Sequence, residues 1–560
     1  MIPNPESSPP GAPARTETEP DVRSGASDAA GQSPWGALLA YVAIASVVCF
    51  GWLGSTDAIS MEGIVADAAR HMERSGDLLV PHLYGEVYAY KPPLTYWLVL
   101  GSFKLLGVEN EWTLRLPIAL SAFLLGLAIL GLVGRACGPG TGMLCALAAL
   151  TGVLSIQKIR TAEFDMPLAA GVGVALTCAC YCLARKRQNI AIWLLGYLAL
   201  TAAALAKGLP ALMAYGPGLI VAAVATRRLR YLFGWKHLLG VTLFAVLCGW
   251  YVSRAYDRGG PIVFEQAFEE ARIRGTEWHV RSVALTIAKP AIIAAIFLPW
   301  TALLPLALAG HRFVARDDTE RRMFRAAWAF LITGILAFMA VPTHETRYYL
   351  PLCTPIGIVA GMSARAGLAA TPQWLRARRL TATCCALICA GLAVVAAVAI
   401  APSTPAYYRV LLLAVALAAV ALVALVARGT GRSRTAVLMV TACVCLALTE
   451  SLALRPRRAA KRTLQPMARL FAPHVSATSE LWVVGPVTGG QELSSLFFHL
   501  NRPVRAFEAS GTPPPAGALL VVTAQQRTEL EAQAGFQCTP LETVFHQGRE
   551  YALVRFAGAP

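Results

Sequence analysis

The sequence predicts a mainly α-helical protein that crosses a membrane many times and ends in a small α/β region outside it. Three observations carry this. Of 560 residues, 56% are hydrophobic and only 14% are charged, against roughly 25% charged in soluble domains; mean hydropathy is +0.55. Apolar runs long enough to cross a ~30 Å hydrocarbon layer recur from near Pro34 to near Leu454, about 13 of them. Basic residues gather in every second loop: Arg185, Lys186 and Arg187, then Arg227, Arg228, Arg230 and Lys236, then Arg312, Arg316, Arg321, Arg322 and Arg325, then Arg365, Arg376, Arg378 and Arg379, then Arg428, Arg432 and Arg434. That alternation assigns those loops to the cytoplasm. It accounts for the net charge of +17 at a membrane, so no nucleic acid is expected as a partner. An ordinary cytosolic enzyme, a disordered scaffold and a disulfide-stapled secreted domain are excluded.

Taken in order, residues 1–33 are rich in Pro, Gly, Ser and Ala and predict a disordered cytoplasmic tail. A transmembrane region follows over 34–454, beginning with an uncleaved span from Pro34 to Leu53. Two long external loops interrupt it, at 54–93 and 253–282. In the first, Ile64, Val65, Ala68, Ala69 and Met72 recur at helical spacing opposite Glu62, Asp67, Arg70, His71, Glu73 and Arg74. This predicts an amphipathic helix from Glu62 to Arg74 lying in the headgroup plane. Ser75-Gly76-Asp77 breaks it, and Val80 to Gly85 reads as an extended turn leading to Lys91-Pro92-Pro93-Leu94 at the head of a second span. From 455 to 560 the composition turns polar. Leu481–Val484, Leu519–Val522 and Tyr551–Phe556 read as strands and Glu492–Leu500 as a helix, and with about 13 spans this region is external.

Nearly all of the 14 cysteines lie in apolar runs, including Cys178, Cys180, Cys182, Cys384, Cys385, Cys389, Cys443 and Cys445, where they act as small hydrophobes. Cys538 stands alone in the polar C-terminal region, so no disulfide framework is expected there. His279 and His344 are isolated external histidines without further ligands around them, so a divalent metal is not supported and no cofactor is expected.

The chemically active groups fall on one side of the membrane. Asp57 and Glu62 follow the first span. Lys158, Arg160, Glu163 and Asp165 share one external turn, Lys207 another, and His344, Glu345, Arg347, Tyr348 and Tyr349 a third. Carboxylates among fixed cations suit a reaction in which a base activates an acceptor while a phosphate leaves. No glycine-rich nucleotide loop is present, so a lipid-linked donor fits this face better than a nucleotide sugar.

The segment Glu62-Gly63-Ile64-Val65-Ala66-Asp67-Ala68-Ala69-Arg70-His71-Met72, with Ser75-Gly76-Asp77, Pro81-His82-Leu83-Tyr84-Gly85 and Tyr90-Lys91-Pro92-Pro93-Leu94-Thr95-Tyr96-Trp97, resembles the first external loop of the bacterial aminoarabinose transferase and protein mannosyltransferase-like membrane glycosyltransferases. Further matches follow in order: Asp165-Met166-Pro167, Ala206-Lys207-Gly208, Phe264 through His279 with Pro299-Trp300, Arg347-Tyr348-Tyr349-Leu350-Pro351, and Ser495-Leu496-Phe497-Phe498 with Arg502-Pro503-Val504. The resemblance covers about residues 35 to 510.

It implies a C-type, inverting glycosyltransferase of the bacterial inner membrane. Such an enzyme moves a sugar from a polyprenyl-phosphate donor to a lipid A-type glycolipid, a glycan or a protein on the periplasmic face. Lys91, Arg347 and Lys207 would hold the donor phosphate. Glu62, Asp57 or Asp165 would supply the catalytic carboxylate, and Tyr348, Tyr349, His279 and Glu163 would line the cavity. In place of the family's Asp-Glu pair at the head of the first-loop helix, this chain has Met61-Glu62, and Tyr90 stands where some relatives have Glu. A membrane transporter or lipid flippase, and an inactive scaffold of the same fold, are the alternatives.

Overall fold

The computed structural model describes residues 33–186, 188–276, 280–303, 307–308, 314–342, 345–368, 449–485, 491–507, 513–534 and 536–558. The tail ahead of residue 33, the apolar runs between 369 and 448, His279 and His344 lie outside the described residues. The described chain is mainly helical. Five helices are long and apolar enough to cross a membrane: α4 (Glu111–Cys137), α7 (Asp165–Ala184), α8 (Ile190–Lys207), α10 (Trp235–Gly259) and the helix Asp318–Met339. A sixth span arises if α5 (Pro139–Leu150) and α6 (Val153–Ile159), bent by 74°, count as one. Shorter apolar helices include α1 (Pro34–Phe50), α3 (Leu94–Leu106) and α9 (Pro210–Ala225).

The helices begin where the sequence supplies caps. Asn110 accepts from the Thr113 amide at 2.9 Å and its own amide donates to the Thr113 hydroxyl, a reciprocal box that starts α4. Asn189 does the same work for α8 and Asp317 for the helix Asp318–Met339. Because the spans alternate in direction, the bundle has two ends. At one, Arg365 grips Glu320 through two bonds of 2.6 and 2.8 Å beside the basic loops. At the other gather the N-terminus of α7, the C-terminus of α8 and the segment Thr346–Leu352 that follows the helix Asp318–Met339.

Helix α2 (Ser60–Ser75) forms where the apolar spacing predicts it and stops at Gly76, whose φ of 72° closes the last turn. Protein covers its apolar face. Ile64, Val65, Asp67, Arg70 and Met72 are all buried, because α2 is packed between α3 and the helix Ser494–Leu500. α3 also departs from the expected second span. It starts beside Gly208, where Pro92 sits, and Lys104 near its end pairs with Glu73 while Glu109 just beyond pairs with Arg70. Its C-terminal end therefore stays with α2 while its start lies at the end of α8, and it is α4 that is long and apolar enough to cross. The external loop expected from residue 253 is likewise helical: α10 continues to Gly259 and α11 (Ile262–Thr276) follows.

In the first loop, β1 (His82–Leu83) and β2 (Glu86–Val87) pair as a hairpin. The C-terminal region holds a five-stranded mixed sheet in the order β4 (Val504–Phe507), β3 (Leu481–Val484), β5 (Leu519–Thr523), β7 (Arg549–Phe556), β6 (Cys538–His546). β3 runs parallel to both neighbours, and the β5–β7–β6 half is antiparallel. One face packs internally through Phe507, Val522, Phe536 and Phe556. The other shares its core with the first loop: Ile64, Leu83, Tyr84 and Tyr88 pack with Phe471, Leu496, Phe497 and Val521. The Ala506 amide donates to the Tyr84 carbonyl at 2.9 Å, joining the hairpin to the sheet edge.

Gly63 makes this junction. A Cβ there would overlap the backbone of Ser494 and Ser495, so α2 and the helix Ser494–Leu500 approach backbone to backbone. Gly63→Val is expected to destabilise the fold by about 1–3 kcal/mol through overpacking, seen as a lower apparent melting temperature of the detergent-solubilised protein.

Candidate functional site

Two groups of charged residues meet back to back at one end of the bundle. The first is built on Glu62, in the opening turn of α2. Its two oxygens take both Nε and Nη2 of Arg115, at 2.6 and 2.7 Å, and also accept the amides of Ile59 (3.2 Å) and Ala162 (2.9 Å). Arg115 uses its other N–H groups on the carbonyls of Leu53, Thr56 and Asp57. Both side chains are 1% exposed. Burial opposes the Glu62 charge, but the Arg115 charge and hydrogen bonds, with Arg455 and the Ala162 amide, outweigh it and hold the carboxyl below its usual range. Asp57 belongs to the same group, its Oδ2 accepting from the Thr463 hydroxyl at 2.7 Å.

The second group surrounds the turn from Arg160 to Asp165. Glu163 pairs with Lys158, and Asp165 pairs with Lys207. Arg347 lies among them, close enough to act electrostatically on Glu163 and Lys207, and its Nε is buried without a hydrogen-bond partner. The Tyr348 ring underlies two cations: Lys207 Nζ is 4.3 Å and the Arg347 guanidinium carbon 5.7 Å from its centroid, distances at which ring and cation attract. Burial raises the Glu163 carboxyl above its ordinary value, with neighbouring Asp165 adding to the effect against the pull of Lys158 and Arg347. For Arg347 burial disfavours the charge, yet Asp165, Tyr348, Glu163 and Glu345 together favour it more.

Lys91 is buried at the start of the segment that enters α3. Pro92 lies 3.9 Å from where a Gly208 Cβ would stand, so the Lys-Pro-Pro turn rests against the residue after Lys207. Gln266 of α11 fixes this strand from the other side, accepting from the Ala89 amide at 2.6 Å and donating to the Val87 carbonyl at 3.0 Å.

The geometry thus brings together Asp165, Glu163, Lys207, Arg347 and Tyr348, with Lys91 adjoining. Glu62 and Asp57 stand in the other group. Tyr349 is not with Tyr348: it is buried in the helix core, edge-on to Phe338 at 5.4 Å, because neighbours on a tight helical turn face different directions. Met61 and Tyr90 pack against the apolar core of the C-terminal region. Among the described residues no group of His, Cys, Asp and Glu could hold a metal ion. Two cavities, of about 770 and 470 Å³, lie at the opposite end, among Arg185, Lys186, Lys236, Arg227, Arg228 and Arg322, far from these carboxylates. Arg115 escaped the sequence reading because it sits in an apolar run. A single arginine in such a run, with a glutamate at the head of the preceding helix, was the available signal.

Residues 90–251 match the model of the dolichyl-phosphate-mannose-protein mannosyltransferase family. The chain superposes on ArnT of Cupriavidus metallidurans bound to undecaprenyl phosphate with a TM-score of 0.73 at 20% identity, covering 94% of this chain and 100% of that one. The chain shares the fold of the aminoarabinose transferases. It is 26% identical over 315 residues to undecaprenyl phosphate-alpha-4-amino-4-deoxy-L-arabinose arabinosyl transferase 1 of Sodalis glossinidius, across 54% of this chain and 53% of that protein. An uncharacterized protein of Aquifex aeolicus is 28% identical over 305 residues, 53% of this chain and 58% of its own length. The chain spans a little over half the length of these curated relatives. The family resemblance carried by the first-loop residues is thereby upheld.

Glu62→Ala, which leaves Arg115 charged and buried, is expected to cost about 3–5 kcal/mol of stability, and Arg115→Lys should not restore it because the forked pairing is lost. Since the folded Glu62 carboxyl is held below its unfolded value, its contribution is present above the ordinary carboxylate range and lost as pH falls through the folded value. Melting scans of wild type and Glu62→Gln from pH 7 downward should converge in acid.

Proposed function

We propose that the protein is a membrane glycosyltransferase that moves a sugar from a polyprenyl-phosphate donor to an acceptor on the periplasmic face. The observation that carries this is the cluster of Lys158, Lys207 and Arg347 around two carboxylates, with Lys91 adjoining, at the end of a bundle of apolar helices. Arg347, ion-paired among the described residues only with the largely exposed Glu345 at 3.5 Å, can turn to an anionic group, and the position of the cluster at the helix ends suits a phosphate whose isoprenoid tail remains in lipid. Lys91, Lys207 and Arg347 would hold that phosphate, the planar guanidinium of Arg347 offering paired donors to two oxygens. The fold shared with ArnT supports the same reading.

In this scheme an acceptor oxygen attacks the anomeric carbon as the bond to the lipid phosphate breaks. The configuration inverts, and the phosphate leaves on the lipid. The cations stabilise the charge that develops on the leaving oxygen, the larger need when the leaving group is itself a stable anion. Asp165 and Glu163 are the carboxylates placed to serve the sugar and acceptor side. The raised Glu163 is the better placed to exchange a proton near neutral pH. Glu62 then acts as a positioning residue: its oxygens are occupied, and its bond to the Ala162 amide sets the turn that presents Glu163. A lipid A-type glycolipid, an envelope glycan and a protein all remain within the acceptor class.

The topology in this proposal has about 13 spans within 34–454, the basic loops in the cytoplasm of a bacterial inner membrane, and the region 455–560 as a periplasmic α/β domain covering the site.

Purified protein given a labelled polyprenyl-phosphate sugar and membrane acceptors should transfer the label. Translocation without transfer would instead identify a transporter or flippase, and binding alone an inactive scaffold. Lys91→Ala and Arg347→Ala should each lower transfer by at least about 100-fold, the scale of losing one transition-state donor, with melting temperature little changed. Asp57→Asn should be mild. Wild-type turnover in the Lys91 and Arg347 variants would refute the phosphate assignment.

A further inference from the structure

Behind the Glu62–Arg115 pair, charges of one sign are left over. Arg160, where α6 ends, is 1% exposed, and Arg455, at the head of the helix Arg455–Arg462, is 7% exposed. Arg160 Nε donates to the Gly51 carbonyl at 3.3 Å and Nη1 to the Ile156 carbonyl at 3.4 Å, but Nη2 has no partner. Neither Nη1 nor Nη2 of Arg455 has one. The Thr56 hydroxyl, on the residue whose carbonyl receives Arg115, is also buried and unpartnered. Arg455 is within electrostatic reach of Arg115, Arg160, Glu62 and Glu450. Glu450 itself pairs with Arg458, whose side chain is half in solvent.

Three buried guanidiniums thus face two buried carboxylates. Arginine does not give up its proton in proteins, and an uncompensated buried charge costs several kcal/mol. Burial, with the repulsion of Arg115, already pushes Arg455 down to about 9. Among the described residues the opposing partners are already engaged, Glu62 by Arg115 and two amides and Glu450 by Arg458. With Glu450 shared in this way, an added negative charge would be favoured here.

We propose that Arg160 and Arg455, backed by Arg115 and flanked by Glu62, Glu450 and Thr56, bind one small monovalent inorganic anion of the halide class. Near-complete burial of every group favours a monatomic ion over a headgroup or sugar phosphate. Its partners come from the first loop, α6 and the chain entering the C-terminal sheet, so the ion pins that region to the bundle. It uses none of the residues assigned to the donor site proposed above.

The test reads stability, so its outcome is independent of any transfer assay. The full-length protein is melted in detergent with sodium chloride, bromide or gluconate at constant ionic strength. Chloride and bromide should raise the apparent melting temperature saturably, by about 3 °C or more, relative to gluconate. Arg455→Gln should abolish the halide response and, having removed a buried positive charge, be no less stable than wild type in gluconate. A merely structural arginine would lower stability in every salt. Equal melting in halide and gluconate, or a full halide response in Arg455→Gln, overturns the proposal. Should that variant fail to fold, crystals of the wild type grown in bromide decide: an anomalous peak within hydrogen-bond reach of Arg160 and Arg455 supports the site, and its absence overturns it.

Discussion

The Glu62–Arg115 pair is the constraint on which this end of the bundle is built. Two ions at 1% exposure have lost nearly all their hydration, so the pair is tolerable only because every remaining donor and acceptor is used. Arg115 donates to the carbonyls of Leu53, Thr56 and Asp57, and Glu62 accepts the amide of Ile59, just ahead of α2, and that of Ala162 in the turn before α7. Four separate chain segments are thereby set to within hydrogen-bond tolerance of one another. The pair contributes uniqueness of arrangement more than net stability: a hydrophobic pair of equal volume would fill the space, yet it would not fix where Ala162, and so Glu163, must stand.

This also shows what the linear chain could and could not disclose. The helix over Glu62–Arg74, its stop at Gly76 and the strands at Leu481, Leu519 and Tyr551 were legible, because periodicity and turn residues are local properties. Likewise Glu163, Asp165, Lys207 and Arg347 were marked out by standing at the ends of apolar runs. The surroundings of α2 were not legible. An amphipathic face states that one side must be covered but not by what, and the cover turned out to be the helix Ser494–Leu500, more than 400 residues away in sequence. For α3 the composition satisfied a span while its 13 residues fell short of one, and its C-terminal end is tied to α2 through Lys104–Glu73 and Glu109–Arg70. The strands β4 and β6 were passed over because Arg505 and Pro540 interrupt their apolar alternation; pairing to β3 and β7 supplies what the pattern lacks.

The two unusual residues of the first loop have a common physical setting. Met61 and Tyr90 both rest on the apolar core shared with the C-terminal sheet. A carboxylate at either position would face that apolar surface and would need a cation or water to remain ionised. Across the Ala162 turn stand carboxylates that carry their own counter-ions. Asp165 has Lys207 and Glu163 has Lys158, so the second cluster can keep charged carboxylates beside a hydrocarbon layer without drawing on α2.

Charge balance then distinguishes the two groups in kind. Around Asp165 the cations lie at the junction of loops and helix ends, where Arg347 keeps 21% of its side chain exposed beside Glu345. Around Arg455 the guanidinium groups are almost wholly buried, and the proposed partner there is a small ion. The same residue type therefore has opposite consequences on the two faces of one turn. An accessible guanidinium confers recognition, and an enclosed one sets a condition on folding. Because Glu62 touches both groups, through Ala162 on one side and Arg455 on the other, any change that loosens the enclosed cluster will be felt at the turn that carries the accessible one.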